Sequence, residues 1–308
     1  MAAHRIDTHT HILPPDYATW LRARNADAGG LPIPDWSEEA ALETMAARSV
    51  RTAIVSVSTP GVHLGDGRDA RAMARAVNDY CAALVARHRG RFGFFASLPL
   101  PDVDGALAEL EYAFDTLHAD GVILLANTHG IYLGDDAQKP LFDELNRRGA
   151  VVFVHPAHLP GNTVAGVPPF AVDFLLDTTR AAIKLMTSGT VTRCPNLKIV
   201  LSHAGGFVPY AAHRIGVTMS PFGVTDGIAQ LKRFYFDTAL SGSPTALPSL
   251  LAFAAPDHVT FGTDWPHAPP PVGAAFTRMY EAYPIADAQR ASIDRGAAEK
   301  LFPRLASA

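Results

Sequence analysis

A chain of 308 residues, 48% of them hydrophobic and 18% charged, is long enough to bury a substantial core. Its net charge of −4 and its lack of lysine or arginine clusters argue against nucleic acid or an anionic membrane surface as a partner. No apolar run approaches the roughly 18 residues that a membrane helix needs, and the N-terminus lacks a signal pattern. The two cysteines, Cys81 and Cys194, are too few for a disulfide framework. We therefore expect a cytoplasmic protein with two buried thiols.

Short apolar segments alternate along the chain with segments whose apolar residues recur at helical spacing. Strands that are apolar on both faces and alternate with helices form parallel sheets covered by helices. The pattern predicts an α/β fold, a single (β/α)₈ TIM barrel domain over residues 1–308, slightly elaborated by a loop at 20–36. An open doubly wound sheet is the alternative, but the Gly-rich turn typical of that fold is missing after the first strand. The predicted strands span residues 5–12, 52–59, 91–98, 121–127, 151–156, 197–204, 234–240 and 258–264.

Histidines and an aspartate stand at the ends of four predicted strands. His9 and His11 end the first, in the sequence IDTHTHILP, and they point to the same face because side chains alternate along a strand. His155, His203 and Asp264 end the fifth, sixth and eighth. For any one of them a structural hydrogen-bonding role is the alternative, but the C-terminal ends of barrel strands meet at one mouth. We therefore predict one shared active site there.

Neutral imidazoles combined with a carboxylate are typical of a divalent metal site, and they suit Zn²⁺ as well as Mn²⁺, Fe²⁺ or Co²⁺. We predict one ion, zinc or manganese, with coordination positions left for water or substrate. None of the five lysines ends a strand, so a lysine that bridges two ions is not expected. His203, beside such an ion, fits a general base that later returns its proton; a further ligand or a hydrogen-bond donor is the alternative.

Six further residues are candidates for substrate binding or for the walls of the pocket. Arg214 follows His203 on the next predicted helix, and its planar guanidinium suits a carboxylate, although an exposed helix arginine is equally consistent with its position. Asp237 ends the seventh strand, where it orients substrate or a ligand or else caps a loop. The predicted pocket walls are Phe95, Trp265, His158 and His267.

With these residues at the strand ends, the chain resembles the metal-dependent amidohydrolase superfamily, and within it the branch of non-oxidative decarboxylases. The matching segments are IDTHTHILP, FVHP, LKIVLSHAGGFVPYAAHRI and VTFGTDWP, so the resemblance runs from residue 5 to about 268. It implies that the metal ligands are His9, His11, His155 and Asp264. It also implies that His203 is the catalytic histidine and that Arg214 binds a carboxylate across a homodimer interface.

The resemblance also separates types within that branch. His9 stands where resorcylate-type relatives tend to have glutamate, which favours the aminocarboxymuconate-semialdehyde and 6-methylsalicylate types. The semialdehyde type carries a longer insertion with a second carboxylate-binding arginine, and Arg22 and Arg24 within the shorter loop here do not match it well. A small aromatic monoacid is therefore the expected substrate.

A 2-hydroxybenzoate is the aromatic acid whose decarboxylation this site would best support. Metal chelation of the phenolate and one carboxylate oxygen would push electron density toward the carbon that bears the carboxylate. Protonation there, by His203 or by Asp264, would precede loss of CO₂. The alternative is a lactone or amide hydrolase, or a hydratase, that uses metal-bound water with His203 as base. A non-catalytic small-molecule binding protein is the alternative from a different class.

Overall fold

Eight parallel strands, hydrogen-bonded to one another in chain order, form a nearly closed barrel in the computed structural model, which describes residues 4–161 and 164–306. Parallel bridges from Asp7 to Phe261 and from Thr10 to Trp265 join the first strand to the segment after the last one. This architecture confirms the predicted barrel and excludes the open sheet. The strands are β1 (Arg5–His11), β2 (Val50–Ser56), β3 (Phe92–Ser97), β4 (Gly121–Leu125), β5 (Val151–His155), β6 (Lys198–Leu201), β7 (Tyr235–Asp237) and β8 (Val259–Thr260).

Helices connect the strands and cover the barrel. Several begin at residues whose side chains accept a hydrogen bond from the first turn, such as Ser37, Asp66 and Asp102. The helices are α1 (Pro15–Ala23), α2 (Glu38–Ala47), α3 (Gly67–Arg87), α4 (Val103–Asp115), α5 (Lys139–Arg148), α6 (Asp173–Thr187), α7 (Thr190–Arg193), α8 (Val208–Thr218), α9 (Gly227–Leu231), α10 (Leu247–Phe253), α11 (Pro270–Ala282), α12 (Asp287–Ala291) and α13 (Ala297–Leu301).

The structure corrects several boundaries of the sequence prediction. Strand β6 ends at Leu201 and β8 at Thr260, so His203 and Asp264 lie in the turns beyond those strands. The predicted loop at 20–36 begins as helix, because α1 continues to Ala23. A short antiparallel hairpin, Asn127–Thr128 with Ile131–Tyr132, follows β4.

Two apolar layers stabilise the barrel. One fills the space between the strands and the surrounding helices, and it includes both free, buried cysteines. The other fills the barrel interior, where Ile6, Phe95 and Phe153 pack in one cluster with Phe302 and Leu305 from the C-terminal segment. Each such large side chain stabilises the fold by roughly 1.5–3 kcal/mol when fully buried. Within the two described ranges, no helix combines the length and the apolarity of a membrane span.

Candidate active site

The local backbone at three strand ends departs from regular structure and aims the polar side chains inward. Strand β1 has one residue more than β2 between Asp7 and Thr10, a bulge that re-aims the side chains around His9. Asp264 has a φ of +59°, and His203 and the next three residues also have positive φ values. Such left-handed backbone is costly for residues other than glycine and is concentrated at functional sites.

The strand ends bring four predicted side chains together. His9, His11, His155 and Asp264 are buried, and each offers one ligand atom within 4.8 Å of the others. The Nε2 atoms of His9 and His11 are 3.1 Å apart. Oδ1 of Asp264 lies 3.3 Å from Nε2 of His9 and 3.1 Å from Nε2 of His11. We refer to these four residues as the metal cluster.

Each histidine of the metal cluster has an acceptor behind its other ring nitrogen. Nδ1 of His9 lies 2.7 Å from a carboxylate oxygen of Asp237. Nδ1 of His11 lies 3.2 Å from the carbonyl oxygen of Ser56, and Nδ1 of His155 lies 2.9 Å from that of Pro156. Each acceptor can take the ring proton at Nδ1, and the Nε2 atoms then face the centre of the cluster, where a neutral ring offers a lone pair, as in metal-binding histidines.

Charge within the cluster is balanced by close pairing. Burial and the neighbouring His11 and His9 rings hold the pKa of His155 well below its usual range, so this imidazole is neutral. Burial also opposes a charge on His9, but the Asp237 and Asp264 carboxylates raise the pKa of His9 to about 10. Despite burial, the close approach of the His11, His203 and His9 rings holds the pKa of Asp264 well below its usual range. A positive charge is therefore favoured at the centre of the metal cluster, beside the Asp264 carboxylate.

A divalent cation fits the metal cluster. Two atoms that are each about 2.1 Å from one ion lie about 3.0 Å apart at a right angle and about 3.4 Å apart at the tetrahedral angle. The separations between His9, His11 and Asp264 fall in that range. Oδ1 of Asp264 is buried and receives no hydrogen bond of good geometry from the described residues. A cation among these acceptors would satisfy an oxygen that is otherwise orphaned.

His203 lies beside the metal cluster rather than in it. Its Nε2 is 3.4 Å from Oδ2 of Asp264, and its backbone nitrogen donates to Oδ1 of Asp237 over 3.1 Å. Within the described part of the chain, no hydrogen bond reaches its buried Nδ1. The imidazole is therefore close to the cluster, while its other ring nitrogen is not tied to the protein.

A cavity of about 780 Å³ adjoins the cluster and is lined by His155, His203 and Asp264. His267, predicted as a pocket wall, also lines it, and burial with the neighbouring His11 lowers the pKa of His267 to about 3. His158, predicted for the same rim, is outside the lining and pairs with Asp27 at the surface. Most of the wall is apolar and includes Phe170, Phe174, Phe207, Leu240, Leu250 and Val272.

Phe95 and Trp265, predicted as pocket walls, lie outside the lining of this cavity. Phe95 stacks on Phe153 with ring centroids 5.3 Å apart and also contacts Phe302, so it fills the barrel interior below the cluster. The Trp265 side chain packs among buried residues beside helix α2. Its backbone carbonyl accepts a hydrogen bond from the His11 nitrogen over 2.6 Å, so Trp265 helps close the barrel.

Asp237 and Arg214 also lie outside the cavity lining. Asp237 is fully buried behind His9, a position that fits the ligand-orienting alternative. Arg214 is exposed on helix α8, and no ion pair from the described residues engages its guanidinium. It does not reach the cavity of its own chain.

Sequence reasoning missed two polar residues that shape the site. Asp7 accepts hydrogen bonds from the His9 nitrogen and from the Thr263 hydroxyl, the latter over 2.6 Å, and thereby ties β1 to the turn that carries Asp264. Burial raises the pKa of Asp7 to about 6. Thr59 lines the cavity with a buried hydroxyl that makes no hydrogen bond to the described residues. The alternation of Asp7, His9 and His11 along β1 was a signal for the first; nothing marked the second.

The parallel barrel and the histidine–aspartate cluster at its C-terminal end define the class of metal-dependent barrel enzymes. Within that class the chain belongs to the amidohydrolase family, whose profile matches residues 6–304.

Known proteins resemble the chain over nearly its full length. A 6-methylsalicylic acid decarboxylase from Penicillium expansum is 40% identical over 313 residues, which cover 98% of this chain and 97% of that protein. A solved structure described as an amidohydrolase superposes with a TM-score of 0.93 at 29% identity and covers 97% of this chain and 100% of its own. The structure of a 2,6-dihydroxybenzoate decarboxylase in complex with 2,6-dihydroxybenzoate superposes with a TM-score of 0.79 at 25% identity. The match covers 98% of this chain and 100% of that one.

Proposed function

We propose that this protein is a metal-dependent, non-oxidative decarboxylase, a carboxy-lyase, that acts on a small 2-hydroxybenzoate such as 6-methylsalicylate. The observation that carries this proposal is the metal cluster at the cavity, with His203 beside it. The similarity to a 6-methylsalicylic acid decarboxylase over 98% of the chain supports the reaction and the substrate.

His9, His11, His155 and Asp264 are the proposed ligands of one divalent ion. When bound, the ion supplies a Lewis-acidic centre that draws anionic substrate oxygens to this end of the cavity. Asp237 acts through His9: by accepting its Nδ1 proton, it keeps the Nε2 lone pair directed at the cluster. Its second oxygen receives the His203 backbone nitrogen, so one carboxylate positions both imidazoles.

His203 is the proposed proton donor. Asp264 is engaged on both sides, through Oδ1 with the cluster and through Oδ2 with His203. Two imidazoles at the cavity have no ligand role, those of His203 and His267. Of these, His203 is the one whose Nε2 lies 3.4 Å from Asp264. It delivers a proton to the ring carbon that bears the carboxylate. The electron pair of the carbon–carbon bond then returns to the ring, and CO₂ leaves. The largely apolar wall keeps competing water away from this step.

Replacing the donor tests the assignment. We expect His203→Asn to lower kcat by about 10²–10⁴-fold, the usual contribution of a positioned acid, while the protein retains one metal ion per chain by elemental analysis. His158→Asn is the matched control, because that histidine lies outside the cavity lining, and we expect kcat within twofold of the parent. Loss of both metal and fold in His203→Asn would make His203 a structural residue instead.

Thr59 offers a second contact for substrate. Its buried hydroxyl lines the cavity and makes no hydrogen bond to the described residues. Thr59→Val therefore removes a group that is available to a substrate oxygen without changing the size of the side chain. A neutral hydrogen bond contributes about 0.5–1.5 kcal/mol, or roughly twofold to tenfold in KM. We expect Thr59→Ser to keep the parent KM. A KM that is unchanged in Thr59→Val would remove Thr59 from the binding site.

A homodimer in which Arg214 binds substrate in the neighbouring chain is part of the proposal. Tyr210, Arg214 and Val217 form one exposed stripe on helix α8. Tyr210 is 84% exposed yet also lines the cavity, so a two-fold contact along this stripe would bring Arg214 near the mouth of the other chain. Val217→Glu should give a monomer by light scattering, with a raised KM. A parent protein that is monomeric and fully active would contradict this part.

Three further points belong to the same proposal. Zinc and manganese both suit nitrogen and oxygen ligands, and activity restored to metal-free protein by each ion in turn identifies the working one. A cytoplasmic location is supported by the two free, buried thiols. A single domain over residues 1–308 is supported by the packing of C-terminal Phe302 and Leu305 against Ile6.

A further inference from the structure

The cavity is much larger than the substrate named above. An acid with eleven non-hydrogen atoms, such as 6-methylsalicylate, occupies on the order of 200 Å³ at ordinary packing density. The cavity of about 780 Å³ therefore leaves most of its space empty when such a molecule lies at the metal cluster. The remaining space is available to a further chemical group, whose nature depends on the residues that line it.

The lining divides by chemistry into two parts. Imidazoles and the carboxylate are concentrated at the strand ends, where His155, His203, Asp264 and His267 meet. The other polar groups of the lining are uncharged, and they include the hydroxyls of Ser241, Thr245 and Ser249 on the connection after β7. The loops and helices further along each connection add an apolar wall. Phe170 and Phe174 come from the segment before and within α6, Leu240 and Leu250 from the connection after β7, and Val272 from α11.

Charge is absent from the apolar part of the wall. Among the described residues that line the cavity, none is lysine or arginine, and the sole carboxylate is Asp264 of the metal cluster. A charged group placed against this wall would lose its hydration without gaining a charged partner from the described lining residues of its own chain, which is strongly unfavourable. An alkyl or aromatic group would gain the free energy of apolar burial there.

We propose that this enzyme acts on 2-hydroxybenzoates with an apolar substituent larger than methyl more efficiently than on 6-methylsalicylate itself. The inference rests on the proposed decarboxylase function and specifies the substrate class of that same site. The hydroxyl and carboxylate lie at the metal cluster, and the substituent extends along the apolar wall. Ala246, next to α10, is a small residue of the lining, and a larger side chain there would take up space in the cavity.

A series of 4-alkyl and 6-alkyl 2-hydroxybenzoates with methyl, propyl and pentyl groups tests the inference in the metal-loaded enzyme. We expect kcat/KM to rise about threefold to fourfold for each added methylene in one of the two series, the fold-change that corresponds to about 0.8 kcal/mol per buried methylene. The matched probe has the same length but ends in a carboxylate, and its kcat/KM should be at least tenfold lower. A flat or falling kcat/KM in both series overturns the inference.

A substitution in the wall links the effect to this cavity. Ala246→Phe places a ring where the substituent should lie, so the ratio of kcat/KM for the pentyl acid over the methyl acid should fall at least tenfold. Ala252→Phe makes the same change on an exposed position of α10 and should leave that ratio within twofold. A ratio that is equally unchanged in both variants contradicts the assignment of the wall.

Binding without turnover separates this inference from the proposed function. The 3-alkylphenols are the decarboxylation products of the 6-alkyl series, and the same phenols arise from the 4-alkyl series, so their Kd values can be measured whether or not catalysis occurs. Kd should fall with chain length in the parent and not in Ala246→Phe. If the methyl acid is turned over but longer phenols bind no more tightly, the inference fails alone. If no acid in either series releases CO₂, the proposed function fails, and the phenol affinities still decide the wall.

Discussion

The hydrogen bond between Asp237 and His9 provides the sharpest test of how the metal cluster is positioned. One oxygen of the Asp237 carboxylate accepts a hydrogen bond from His9 Nδ1 over 2.7 Å. Its other oxygen accepts hydrogen bonds from the backbone nitrogens of His203 and Ala239, over 3.1 and 2.9 Å. Asp237→Asn keeps the shape of the side chain. Its amide oxygen can retain both backbone hydrogen bonds, which directs the amide NH₂ group at His9 Nδ1.

Two donors would then face each other unless His9 changes its tautomer. If the ring proton moves to Nε2, it lies within the cluster, since that atom is 3.1 Å from His11 Nε2 and 3.3 Å from Asp264 Oδ1. The proton would occupy space that the cation needs. Loss of such an outer hydrogen bond typically weakens metal binding by about 10–100-fold, which equals about 1.4–2.8 kcal/mol. We expect the Kd for zinc or manganese to rise by that factor in Asp237→Asn.

Competition with a chromophoric chelator measures this affinity directly. Ser56→Ala is the matched control, because His11 Nδ1 lies 3.2 Å from the Ser56 carbonyl oxygen, which remains, and 3.3 Å from the hydroxyl, which is removed. Its metal Kd should stay within threefold of the parent. If the metal Kd of Asp237→Asn also stays within threefold of the parent, Asp237 does not orient His9, and the predicted change of tautomer is refuted.

Two further predictions concern the turns that carry His203 and Asp264. Gly206→Ala should lower the free energy of unfolding by at least ~3 kcal/mol, because φ is +62° and a Cβ would lie 2.1 Å from the Leu175 carbonyl oxygen. The control is Gly189→Ala, where φ is +72° but no atom lies nearer than 3.8 Å, and it should lower the free energy of unfolding by only about 1–2 kcal/mol. Equal losses of stability in the two variants, measured by urea unfolding, would disprove the clash. Thr263→Val should lower the free energy of unfolding by about 1–3 kcal/mol and weaken metal binding, since it leaves the buried Asp7 carboxylate without the hydroxyl donor at 2.6 Å. Thr263→Ser should restore both the stability and the metal affinity. A Thr263→Val variant with the stability and metal affinity of the parent would contradict the link between Asp7 and the metal cluster.

The barrel and the metal cluster could be predicted from the sequence for a specific physical reason. Strands buried on both faces form uninterrupted apolar runs, and a polar residue at the end of such a run is conspicuous. His9, His11 and His155 are of this kind, and each lies within its strand as predicted. Asp264 was found by the same signal although β8 ends four residues earlier, because the bridges from Asp7 and Thr10 continue the barrel to this point.

The residues that surround the cluster were harder to place. An aromatic residue within a strand faces either the barrel interior or the helices, and its depth along the barrel axis depends on how the strands are staggered. Phe95 therefore fills the interior below the site, and Trp265 faces α2, although both are close to strand ends in sequence. The role of Asp237 depends on which ring nitrogen of His9 it meets, and only three-dimensional contact defines that pairing.

The fate of the carboxylate is the most direct test of the proposed function. Metal-loaded enzyme, incubated with 6-methylsalicylate in D₂O, should release one CO₂ for each 3-methylphenol formed. The phenol should carry one deuterium at the carbon that held the carboxylate, and formation should depend on His203 and on the added ion. A product that contains solvent oxygen, formed without CO₂, would contradict the account and indicate a hydrolase or hydratase on the same metal cluster.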